Sequence, residues 1–124
     1  MRDIYICDLQ GNLLKELGYC GLPEQIWLAT YQYITEQHQH EFQILAQLWQ
    51  YYYGQEGDAL LSPIEVALLL KDIEYLKSLL KDIKVTEIEA EQIEIQEIQK
   101  FFEDLLNLCQ KAQNSDRALK FVAD

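Results

Sequence analysis

Residues 3–9 alternate in character, with Ile4 and Ile6 on one side and Tyr5, Cys7 and Leu9 on the other. Alternation among β-branched and aromatic residues predicts a strand. Gly11-Asn12 follows, and a Gly at the first loop position suits a type II′ hairpin turn. Residues 12–19 read equally well as a return strand or as a helical turn. Gly18 and Gly21 then punctuate the chain.

From Pro23 the period changes. Trp27, Tyr31, Ile34, His38, Phe42, Leu45, Trp49 and Tyr52 recur at steps of three or four, one stripe of a helix. Pro23 fits the start of that helix, because its fixed φ and missing N–H cost nothing there. A single helix over 23–53 would be ~46 Å long at ~1.5 Å per residue. A compact domain of this size is only ~35 Å across. The preferred reading is therefore a break or kink in the polar run Thr35–Glu41; the alternative is a projecting helix that needs a partner.

After a loop at 54–58, Ser62-Pro63-Ile64-Glu65 is the strongest local signal in the chain. Ser62 can cap the free N–H groups, Pro63 suits the first helical position, and Glu65 can bond back to Ser62. The helix behind it is expected to run to about Ile83, burying Val66, Leu69, Leu70, Ile73, Leu76, Leu80 and Ile83. Thr86 with Glu89 forms a second capping box in outline. Ile88, Ile95, Ile98, Phe102, Leu105, Cys109 and Ala112 then predict a helix ending near Gln113, with a strand over 88–96 as the rival for its early part. Asn114-Ser115-Asp116 reads as a turn. Residues 118–124 read as a last strand with Leu119 and Phe121 on one face.

These elements predict an α+β fold, predominantly α. Three to four helices pack with a small sheet formed by the N-terminal and C-terminal strands, in a single globular domain over 1–124. At 124 residues such a domain buries roughly two-thirds of the unfolded chain's surface, and 49% hydrophobic residues supply the core without disulfide or metal. No repeat and no Pro/Gly/Ser-rich linker divides the chain.

Charge narrows the function. Ten Lys and Arg stand against 21 Asp and Glu, a net charge of −11. Nucleic-acid binding depends on basic side chains neutralising phosphates, so that class is excluded, and anionic membrane surfaces are disfavoured for the same reason. Between Glu16 and Leu70 there is no Lys or Arg, yet the stretch holds seven carboxylates, both tryptophans and six of the eight tyrosines. That surface suits a basic or neutral protein partner. The plain alternative is that the charge serves solubility.

The N-terminus lacks a basic region followed by an apolar core, and no apolar run approaches the ~20 residues of a membrane span. Three cysteines without CxxC spacing read as small buried hydrophobes in a reducing, cytoplasmic setting.

Catalytic and metal motifs are weak. On a helix, His38 and His40 lie about 200° apart and cannot share one ion, and a packed histidine is the simpler reading. The dense carboxylates Glu87, Glu89, Glu91, Glu94, Glu97, Glu103 and Asp104 read as a solvated helix face rather than an acid/base pair. No EF-hand loop, P-loop, GxGxxG or GxSxG elbow occurs. The expectation is no metal, no cofactor and no catalysis.

The densest aromatic block is Trp49, Tyr51, Tyr52 and Tyr53, and three successive tyrosines cannot all face one core from a helix. Trp49, Tyr51 and Tyr53 are candidate protein-binding anchors, with Glu36, Glu41, Glu56 and Asp58 as rim charges; a wide buried helix end with hydroxyls in water is the structural alternative. In outline, the Ser62-Pro63-Ile64-Glu65 helix start, the later helix and the terminal strand through Leu119 and Phe121 resemble small acidic bacterial proteins of the immunity or inhibitor type. That resemblance implies a non-catalytic module that masks a basic partner surface. The competing expectations are a self-associating structural or accessory subunit, a homodimer through the aromatic helix, and, third, an enzyme with an unrecognised site.

Overall fold

A computed structural model describes residues 2–37, 41–45, 47–48, 58–81 and 95–122. The two terminal strands expected from the alternation lie side by side. Strand β1 (Arg2–Cys7) pairs antiparallel with β4 (Ala118–Val122), setting Ile4 opposite Phe121 and Ile6 opposite Leu119. Two further strands complete the sheet. β2 (Tyr19–Leu22) joins the outer side of β1, and β3 (Ala59–Leu61) joins the outer side of β4, in the order β2-β1-β4-β3. β4 is thus an inner strand. Because side chains alternate across a sheet, Cys20, Leu22, Ile4, Ile6, Leu119, Phe121, Ala59 and Leu61 share the face that joins the core.

The ambiguous stretch at 12–19 is neither a simple return strand nor a regular helix. It holds a single 3₁₀ turn at Lys15–Leu17 before β2 begins at Tyr19. Nor is the preceding connection a two-residue hairpin turn. The Asp8 carboxylate accepts the N–H groups of Gln10 (3.0 Å) and Asn12 (2.9 Å) and the side-chain amide of Asn12 (3.0 Å). Gly11 sits inside that loop at φ 88°, a conformation suited to glycine. These bonds hold the Asp8 carboxyl below its ordinary pKa, with the Asn12 N–H as the largest cause.

Three long helices cover the core face. Helix α1 (Glu24–Gln37) opens with the Trp27 N–H donating to the Pro23 carbonyl, so Pro23 stands at the cap. It buries Ile26, Trp27, Ala29, Thr30, Tyr33 and Ile34, a wider face than the single stripe in the sequence. Thr30 satisfies its buried hydroxyl on the Ile26 carbonyl at 2.8 Å. The helix ends at Gln37 and Glu41–Ile44 are non-helical, with helical conformation returning at Leu45. The stripe over 23–53 is therefore not one helix, and the break falls in the polar run, as its length required.

Helix α2 (Pro63–Lys81) begins with the expected capping box. The Ser62 N–H donates to Glu65 Oε1 at 3.1 Å, and the Glu65 N–H donates to Ser62 Oγ at 3.3 Å. Ser62→Ala should cost about 1 kcal/mol in denaturant melts, the usual worth of such a cap; an unchanged midpoint would mean that water replaces the serine.

Helix α3 (Ile95–Asn114) buries Ile98, Phe101, Phe102, Leu105, Leu106, Leu108, Cys109 and Ala112, and packs chiefly against α2. Lys77 of α2 pairs with Glu103 of α3 across that contact. Its end is a reciprocal C-cap: the Arg117 N–H returns to the Ala112 carbonyl and the Asp116 N–H to the Gln113 carbonyl, with Asp116 at φ 52°. The second capping box at Thr86 and Glu89 lies outside the described residues. So does most of the rival strand over 88–96, whose last two residues, Ile95 and Gln96, are helical.

Candidate functional site

The residues singled out from the sequence fall on separate parts of the molecule. Trp49, Tyr51, Tyr53 and Glu56 lie outside the described residues, as do His38 and His40. Glu36 sits in the last turn of α1. Glu41, on the connection after α1, accepts a hydrogen bond from the Tyr75 hydroxyl at 2.5 Å, which raises the Tyr75 pKa. Asp58 stands just before β3, with its carboxylate 3.6 Å from Lys120 Nζ. Glu41 and Asp58 are therefore held by different elements, one through α2 and the other through the sheet. Trp27 belongs to the core and meets Phe101 edge-on at 6.4 Å between ring centres.

Asp72 is a structural centre that sequence reasoning missed. It lies on the buried face of α2, 5% exposed, among Leu69, Ile73 and Leu76. Its Oδ2 accepts the N–H groups of Gln43 (3.1 Å), Ile44 (2.6 Å) and Leu45 (3.0 Å), where helical conformation resumes. A carboxylate meeting successive N–H groups at a helix start is a favourable arrangement for a buried negative charge. Both carboxylate oxygens accept backbone N–H groups of 43–45, so Asp72 anchors the connection after α1 to α2. The only hint in the sequence is an Asp at a stripe position.

A groove of about 790 Å³ lies between β2 and α3, with Pro23 and Ile26 at the start of α1 also in its lining. Cys20, Ile26, Phe101 and Leu108 supply its apolar floor, and Glu97, Lys100, Asp104 and Lys111 line the α3 side. Lys100 is 3.6 Å from Asp104, and Lys111 donates to the Leu17 carbonyl at 2.8 Å. Tyr19 on the opposite lip is 64% exposed and stacks on Tyr5 at 5.6 Å. The pairing register sets Tyr19, Tyr5, Lys120 and Leu60 in one row across the sheet's outer face. Lys120 reaches from that row to the Gly11 carbonyl at 3.3 Å.

The thiols offer little nucleophilicity. Burial pushes Cys20 and Cys109 up to about 12 and raises Cys7 as well. Folded thiols that hold their protons above the ordinary value near 9 add stability below that pH and lose it as pH rises. Alkylation at pH 8 should therefore leave the native protein unlabelled and modify it only on unfolding, and stability should fall between about pH 9 and 12. Rapid native labelling would contradict the burial.

Among the described residues, no group of three or more His, Cys, Asp or Glu is placed to hold a metal ion, and no helix is long and apolar enough to cross a membrane. Comparison with protein-family models, with curated proteins and with solved structures finds no match.

Proposed function

We propose that this chain is a non-catalytic protein-interaction module that takes a basic surface of another protein, in the manner of an inhibitor or immunity protein. The observation that carries the reading is how the charge is distributed. Lys77, Lys100, Lys111 and Lys120 all engage oxygen atoms of the chain itself. Glu16, Glu74, Glu97 and Asp116 meanwhile stand exposed on four different elements or turns. Ion pairs within the chain cancel equal numbers of opposite charges, so the excess of −11 remains to face a partner. Long-range attraction of that kind raises association rates and is screened by salt.

The acidic, aromatic stretch from 24 to 58 is the proposed contact surface, with Trp49, Tyr51 and Tyr53 as anchors and Glu36, Glu41, Glu56 and Asp58 at the rim. Three unpaired thiols suit a reducing compartment, and the cytoplasm is the compartment we propose. Self-association is the rival reading. Its support is the pair of exposed apolar residues Leu60 and Ile64, 48% and 76% exposed, on and just after the edge strand β3.

The test is a pull-down from the native host at low and high salt, followed by kinetics on the recovered protein. A basic partner should be retained at low salt and released at high salt. Glu56→Lys with Asp58→Lys should slow association and weaken its salt dependence, while Tyr53→Ala should speed dissociation. A partner bound equally at every salt, with unchanged rates in the reversed variant, would remove the electrostatic reading.

A further inference from the structure

Among the described residues, β2 has a strand neighbour on one side only, β1, and its outer edge borders the groove. Edge strands ordinarily avoid new pairing through an inserted charge, a proline or a bulge. Tyr19-Cys20-Gly21-Leu22 contains no charge and no proline, and its register with β1 runs without interruption. Its outward N–H and C=O groups repeat along the strand, and only another extended backbone presents partners at the matching spacing of ~3.3 Å per residue. The groove beside this edge has Phe101 and Leu108 in its lining, which offers apolar surface to the inward-facing side chains of an added strand.

Charge selects the occupant further. On the α3 wall the lysines are engaged, Lys100 with Asp104 and Lys111 with the Leu17 carbonyl. Glu97, in the first turn of α3, is exposed and also lines the groove. A second copy of this chain would bring another charge of −11 against the first, which disfavours edge-to-edge self-pairing.

We propose that an extended segment of another protein adds to the β2 edge as a fifth strand. Its inward side chains are apolar at alternate positions and lie against Phe101 and Leu108, and an inward Lys or Arg at one end meets Glu97. This rests on the reading above that the chain binds a basic protein, and it specifies a different contact surface from the stretch at 24–58.

The test selects octapeptides from a random display library on the full-length protein and measures the synthetic winners by fluorescence anisotropy. The winners should alternate apolar residues on one face and carry a basic residue at one end. Saturating peptide should slow hydrogen exchange at the outward-facing amides within Tyr19–Leu22, and Glu97→Lys should weaken binding at least about tenfold. N-methylation at alternate peptide amides gives a check that needs no protein variant: one set of positions should abolish binding and the other should leave it intact. Winners that tolerate both sets, or whose amide shifts lie away from β2 and α3, overturn the proposal. If the library yields no binder while the host pull-down still recovers a salt-sensitive basic partner, the β2 site is wrong and the interaction reading stands. If neither binds, both fall.

Discussion

Removing residues 118–124 should abolish the cooperative unfolding transition rather than shift it by a few degrees. β4 lies between β1 and β3, so its loss unpairs both neighbours at once. It also removes Ala118, Leu119 and Phe121 from the core. Truncating one buried Leu or Phe costs about 2–5 kcal/mol, and a domain's whole stability is about 5–15 kcal/mol. Two such losses together with the orphaned backbone groups of two strands exceed what a domain of this size holds in reserve. Near-ultraviolet circular dichroism, reporting on the buried Trp27, should show no folded signal in the truncated chain. Phe121→Ala is the graded companion, with an expected loss of about 3–5 kcal/mol and a surviving transition. A truncated protein melting at the parent's temperature would mean that β4 contributes nothing to the fold.

Asp72→Ala should be the most damaging polar substitution among the described residues, at about 3 kcal/mol or more by urea titration. It strips the acceptor from three successive buried or part-buried N–H groups, and unsatisfied buried donors cost about 1–3 kcal/mol each before relaxation or water entry. Asp72→Asn should recover only part of the loss, because the amide keeps one acceptor oxygen and turns an NH₂ toward other donors. Hydrogen exchange at Gln43, Ile44 and Leu45 should accelerate in both variants. Glu74→Ala, exposed on the same helix, should stay within about 0.5 kcal/mol. An Asp72→Ala loss no larger than that of Glu74→Ala would show that the connection after α1 does not depend on this carboxylate.

The fold was legible where one period persisted. Alternation in β1 and β4 put Ile4 with Ile6 and Leu119 with Phe121 on one face, although Cys7 and Ala118, off that face, are buried as well; the 3.6-residue period located α2 nearly to both ends and α3 at its C-terminal end. The Ser62–Glu65 pair marked a helix start because capping is chemistry within four residues. What escaped depends on distance in space. β3 is three residues long, too short for a period to register, and β2 owes its conformation to β1. Asp72 sits on an apolar stripe, where an acid looks like an exception; its partners are 27–29 residues away, so no local pattern announces them. The groove is equally non-local, since β2 and α3 lie far apart in sequence. Of the candidate site, the sequence supplied the charge imbalance and the aromatic block, while the strand edge beside the groove emerged only from topology.

Sedimentation velocity on the purified chain, alone and mixed with the partner recovered from the host, tests the central claim most directly. The chain alone should remain a monomer over a wide dilution range. Mixed with a basic partner it should form a faster-sedimenting complex at low salt that dissolves at high salt. A homodimer that survives dilution, or a chain that forms no complex at any salt, would contradict the account.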